Sequence, residues 1–180
     1  MIGLQRVQVL RKLIDELRDN QSNPILNIGY NIGLTNHDNP FKWSVTLFGP
    51  RDTPYNGGIF FLTLIFSYDY PSRPPEVKFD TPIYHINVRS ITNANEPLGE
   101  PNLNILNQWK PEFKVKDIII SIYSLFYMNN ISCSFSPNMA DELRNNKALY
   151  EDKIKYFTRK YADPMIDYKK YDNWDFTYNN

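Results

Sequence analysis

The sequence predicts an α+β fold, with helices set apart from a four-stranded antiparallel meander, on three observations. Apolar residues recur at helical spacing in the first twenty positions, at strand spacing between about residues 26 and 79, and again at helical spacing from Val115 onward. The connections between the strand-like runs are too short for crossover helices, so neighbouring strands pair antiparallel. The 180 residues, 42% hydrophobic and 15% aromatic, are enough to fill one core. One domain is therefore expected over residues 1–165. A tail over 166–180, mostly DYKKYDNWDFTYNN, is charged and aromatic without a period.

The elements follow in order. Leu4, Val7, Leu10, Leu13, Ile14 and Leu17 recur every three or four residues, with Arg6, Arg11, Lys12, Asp15, Glu16 and Arg18 mostly on the opposite face. This amphipathic helix should end near Asn20, before a turn-rich segment and Pro24. A first strand is expected around Leu26–Leu34, and a second where Trp43, Val45 and Leu47 alternate with polar residues. The glycine- and proline-dense residues 49–58 make a turn into Ile59–Phe66, an apolar run expected to be covered on both faces. Val77 and Phe79 mark a short fourth strand after a proline-rich loop. Val115, Ile118, Ile119, Ile122, Leu125 and Phe126 form one broad helical stripe, with Asp117 placed to favour the helix N-terminus. Ser136 and Pro137 read as N-cap and first residue of a helix reaching about Asn145. Tyr150, Ile154, Phe157 and Tyr161 mark the last helix. Between sheet and central helix lies an aperiodic stretch, His85 to Trp109.

Charge and cysteine content narrow the functions. Twenty basic residues balance twenty acidic ones, so no global field draws nucleic acid or an anionic membrane, and neither is an expected partner. The first twenty residues carry dispersed charge and resemble neither a signal peptide nor a membrane span. A single cysteine, Cys133, cannot form an internal disulfide or a multi-cysteine zinc site, which suits a reducing compartment, cytoplasmic or nuclear. Two histidines without a carboxylate cluster suggest no metal, and nothing suggests a cofactor.

Trp43 to Phe79, WSVTLFGPRDTPYNGGIFFLTLIFSYDYPSRPPEVKF, closely resembles the core of ubiquitin-conjugating enzymes, with their Gly-Pro…Pro-Tyr-x-Gly-Gly turn and Tyr-Pro-x-x-Pro-Pro segment. Tyr84-His85-Ile86-Asn87 is similar to the family's Tyr-His-Pro-Asn, Trp109-Lys110-Pro111 to its Trp-Ser-Pro, and Tyr150 to Ala162 to its last helix. The resemblance implies the UBC fold and a place in the ubiquitin or ubiquitin-like pathway. The family's chemistry runs through a cysteine thiolate that carries the modifier as a thioester. Here the matching position in Gly99-Glu100-Pro101-Asn102-Leu103-Asn104-Ile105-Leu106 is Asn102, and a neutral amide cannot form that intermediate.

Asn87 and Trp109 are 22 positions apart, longer than the family's usual interval, because Val88–Leu98 carries an insertion. The Leu106–Trp109 interval is shorter by one, and both changes resemble the catalytically inactive conjugating-enzyme variants, although this chain keeps the last two helices that those variants lack. The leading expectation is a non-catalytic binding module, a pseudoenzyme that binds ubiquitin or a ubiquitin-like protein beside an active conjugating enzyme. Two alternatives remain. Cys133, in the loop matching the family's groove border, is a candidate relocated nucleophile, with His85 as a possible spatial neighbour. Otherwise the domain is a peptide-binding adaptor with Pro97 and Pro101 stiffening a groove wall.

His85 and Asn87 also read as loop-holding residues that hydrogen-bond backbone without catalysis. The resemblance further points to Arg6, Phe66 and Pro111 as a grip for a RING-type ligase, against a plainer reading of Phe66 as the end of a core strand. By the same analogy the strand around Ile28–Leu34 corresponds to a noncovalent ubiquitin-binding face.

Overall fold

Helical spacing at the N-terminus produces α1, Ile2–Ser22, but with a different buried face from the one its apolar residues suggest. The computed structural model describes residues 2–90 and 98–165. Within α1, Val9, Leu13, Glu16 and Asn20 face the core, Leu10 and Leu17 flank it, and Leu4, Val7 and Ile14 are exposed. The correction has a clear physical reason at Glu16. Its carboxylate accepts from the Tyr70 hydroxyl at 2.8 Å and from the Val115 backbone N–H at 2.9 Å, and pairs with Lys12 at 3.3 Å. A buried charge with this many partners is a fixed structural group, not part of a solvated face.

The four strands, β1 Tyr30–Leu34, β2 Lys42–Phe48, β3 Ile59–Ile65 and β4 Glu76–Phe79, form one antiparallel meander in sequence order. The register pairs Ile32 with Val45, Val45 with Leu62 and Leu62 with Phe79, so these inward positions align across the sheet. The first strand starts later than expected. Asn27 adopts φ 65° and Leu26 is 84% exposed, and a turn there precedes the pairing. In β3, Phe60, Leu62 and Leu64 are buried whereas Ile65 is 42% exposed, so the strand has one covered face despite its apolar composition. The β2–β3 turn closes tightly. A Cβ on Gly49 would lie 1.9 Å from the Tyr55 carbonyl oxygen, which explains the glycine.

The rest is helical. A four-residue α2, Asn104–Asn107, interrupts the aperiodic stretch; α3 spans Val115–Ser124, and a 3-10 turn spans Ile131–Cys133. Asp117 accepts the Lys114 N–H at 2.8 Å, capping α3 as its position suggests. Then come α4, Pro137–Asn145, and α5, Lys147–Tyr161. The Ser136 side chain accepts the Met139 N–H, with Pro137 at the first helical position, matching the expected cap. Phe157 on α5 stacks on Tyr84 at 5.1 Å, and the Ala162 carbonyl accepts the Ile59 N–H at 2.7 Å, tying the last helix to the sheet. The inward sheet residues, Ile118, Ile119 and Ile122 of α3, and Tyr150 and Ile154 of α5 share one buried cluster. The expected tail, 166–180, and most of the insertion, including Pro97, lie outside the described residues. Among the described residues no helix is long and apolar enough to cross a membrane.

Candidate functional site

Residues 81–88 are buried without interruption, unusual for a loop, because its backbone groups are bonded from several sides. The Tyr55 hydroxyl donates to the Tyr84 carbonyl at 3.0 Å, and Phe135 N–H donates to the Ile86 carbonyl at 2.9 Å. Ile86 N–H donates to the Tyr150 hydroxyl at 3.1 Å, and Asn102 N–H to the Asn87 carbonyl at 2.8 Å. The segment therefore draws together β3's neighbouring turn, the Asn102 loop, the Cys133 loop and α5.

His85 is fully enclosed. Its Nδ1 accepts the Asn87 N–H at 2.9 Å, so Nε2 carries the proton and donates to the Leu125 carbonyl at 2.9 Å. Burial lowers its pKa to about 4, and the imidazole is neutral. With both ring nitrogens engaged by backbone, His85 is not available as a base for Cys133. Asn87 is equally committed. Its amide donates to the carbonyls of Asn130 at 2.7 Å and Cys133 at 3.0 Å, while its oxygen accepts the Asn130 N–H at 2.8 Å. The two side chains hold the loop, in keeping with a reading that needs no catalysis, and the isoleucine at 86 does not disturb that hold.

A groove of about 480 Å³ opens beside them, lined by polar residues including Asn87, Asn102, Ser124, Asn129, Asn130 and Cys133 and by the apolar Leu103, Leu125, Met128 and Ile131. Among the described residues no charged side chain lines it. Asn102 accepts from the Asn107 amide at 3.0 Å and donates to the Cys133 carbonyl at 3.3 Å, so its amide ties its own loop to the Cys133 loop. Cys133 is partly exposed, and its Sγ lies 3.5 Å from the Asn130 amide nitrogen, a neutral donor and not a base. Cys133 and Asn102 thus share one groove, as their separate loops suggest, while His85 lies beneath it. Among the described residues no group of three or more His, Cys, Asp or Glu side chains is arranged to hold a metal ion.

The chain matches a family model described as ubiquitin-conjugating enzyme over residues 12–158. The chain belongs to the ubiquitin-conjugating enzyme family. As a ubiquitin-conjugating-enzyme-like protein it has the UBC fold and belongs among proteins that work with ubiquitin-like proteins and ligases in general. Seen against the family's Tyr-His-Pro-Asn pattern, the conjugating-enzyme-like loop here is held by Tyr150 as well as by His85 and Asn87.

The residues read as a ligase grip are placed unevenly. Phe66 is 4% exposed and packs against Trp43 at 4.7 Å and Tyr70 at 5.0 Å, so its ring offers no exposed anchor. The exposed aromatic beside it is Tyr68, over which Arg6 places its guanidinium at 5.1 Å. Pro111 is exposed, and its neighbour Trp109 donates from the indole to the Pro71 carbonyl at 2.7 Å, fixing that segment beside the Tyr-Pro loop. Pro101 forms an isolated bridge with Val88. Sequence reasoning missed Tyr150, Asn129 and Asn130 as site residues. Tyr150 is concealed in an apolar helical stripe, and only its hydroxyl distinguishes it from the phenylalanines around it.

Proposed function

We propose that this conjugating-enzyme-like protein is a non-catalytic binding module of the ubiquitin or ubiquitin-like pathway, acting beside an active conjugating enzyme. The observation that carries this reading is Asn102. At the position where the family resemblance expects the thioester-forming cysteine stands an amide whose nitrogen donates to the Cys133 carbonyl and whose oxygen accepts from Asn107. An amide so engaged has neither the nucleophilicity nor the leaving-group character that thioester chemistry requires. Cys133 is the remaining thiol in the groove, but its sulfur meets the Asn130 amide and both ring nitrogens of His85 are engaged elsewhere.

The test is a charging reaction with activating enzyme, ATP and ubiquitin, or a ubiquitin-like protein in its place. No thiol-sensitive adduct is expected. An adduct overturns the reading, and loss of that adduct in Cys133→Ser would assign it to a relocated nucleophile.

The groove, without a charged side chain among its described residues, also favours a second reading, a peptide-binding adaptor. Its asparagine and serine side chains match the alternating donors and acceptors of an extended peptide, and Leu103, Leu125, Met128 and Ile131 add apolar contact. An NMR titration with ubiquitin separates the two: shifts on the described surface support the ubiquitin-binding module, and their absence favours an adaptor for other peptides.

A further inference from the structure

Ile86 departs from the family's proline in a way that creates a physical demand. Proline has no backbone N–H, whereas isoleucine brings one into a site where the residue is 0% exposed. A buried donor without a partner is costly. Here it donates to the hydroxyl of Tyr150, itself 1% exposed, reaching from α5.

That hydroxyl has one proton. Since Ile86 N–H can only donate to it, the phenol must donate onward, and its partner is Asn129 Oδ1 at 3.1 Å. With the amide turned the other way its NH2 would face the hydroxyl and the phenol proton would have no acceptor there. The bond therefore orients Asn129, turning its oxygen to α5 and leaving its NH2 group without a protein partner among the described residues. Asn129 is exposed and lines the groove. Burial pushes the Tyr150 phenol well above the usual tyrosine range, so at neutral pH it keeps the proton it donates.

We propose that Tyr150 is a positioning residue of the groove: it satisfies the extra N–H at Ile86 and fixes Asn129 as a hydrogen-bond donor toward a peptide carbonyl. The proposal rests on the groove being a binding site and names what one of its walls reads. It also gives α5 a role at the site, through the hydroxyl of a residue whose ring is core.

The test uses the full chain as wild type, Tyr150→Phe, Ile86→Pro and the double variant. In Tyr150→Phe the Ile86 amide should exchange with solvent about tenfold faster or more, and Tm should fall by roughly 2–8 °C. The double variant should recover much of that fall, because no N–H remains to be satisfied. Unchanged exchange and Tm in Tyr150→Phe, or effects of the two substitutions that simply add, overturn the pairing. Should Ile86→Pro fail to fold, amide exchange in Tyr150→Phe decides alone.

The donor assignment has its own readout. N-methylacetamide, a probe for the peptide carbonyl, should shift the Asn129 side-chain NH2 resonances of wild type more than those of Tyr150→Phe. Equal shifts in both overturn it. None of these measurements depends on charging, so a thioester adduct would remove the proposed non-catalytic role and leave the Tyr150 pairing standing.

Discussion

His85 illustrates how burial decides the role of a side chain that sequence leaves open. In sequence it is a potential general base near a lone cysteine; in the fold it is a neutral link between the Leu125 carbonyl and the Asn87 N–H. Its pKa is lowered to about 4 from an unfolded value near 6.5. The unfolded state therefore binds more protons between these values, and stability rises with pH across that window. The contribution is complete above about pH 6.5 and is lost as pH falls toward 4, amounting to about 3 kcal/mol. Denaturant unfolding at pH 7.5 and pH 4.5 should show the decline, and the His85 ring resonances should not titrate between pH 8 and pH 5 in the folded protein. Asn87 belongs to the same class of residue. Asn87→Ala removes three hydrogen bonds and leaves the Asn130 N–H without its acceptor, so a loss of about 2–4 kcal/mol is expected in denaturant unfolding, with the groove resonances shifted. The motif His85-Ile86-Asn87 was legible in the sequence, but which of its atoms remained available was not, because apart from the local Asn87 N–H to His85 bond their partners lie 40 or more residues away.

Among the elements, α1 departs most from its sequence pattern. Its apolar spacing predicts a helix correctly, yet Leu4, Val7 and Ile14 are exposed while Glu16 is buried. The face that docks is chosen by what it meets, and Tyr70 and the open N-terminus of α3 together offer a carboxylate three hydrogen-bonding partners with Lys12. Glu16 acts as a side-chain cap for α3 supplied by another helix. Replacing it with alanine should lower stability by about 2–4 kcal/mol, while glutamine, which keeps an acceptor for one N–H or O–H, should cost less. Thermal unfolding of the two variants measures the difference, and equal losses would show that packing matters there more than hydrogen bonding. By contrast α4 begins where Ser136-Pro137 places it, since an N-cap needs only its own local backbone. Elements whose boundaries depend on local chemistry were readable; the late start of β1, set by Asn27 and its turn, was not.

For the whole molecule, the last two helices are part of the core and not an appendage. Tyr150, Ile154, Phe157 and Tyr161 are each buried, Phe157 stacks on Tyr84, and Ala162 extends the bonding of Ile59. A chain ending after Ser136 should therefore lose its cooperative unfolding transition and its dispersed NMR spectrum; a well-folded truncated protein would show that the groove stands without α5. Sequence alone determined the order of helices and strands, the antiparallel meander, the caps and the absence of cysteine at position 102, because periodicity, short connections and residue chemistry are local properties. Tertiary structure decided which face of α1 is buried, that Phe66 is core, that the side chains of His85 and Asn87 are bonded to backbone, and that Asn102, Asn129 and Cys133 border one groove. Those outcomes depend on partners far apart in the chain, and burial and hydrogen bonding assign them only once the elements have packed.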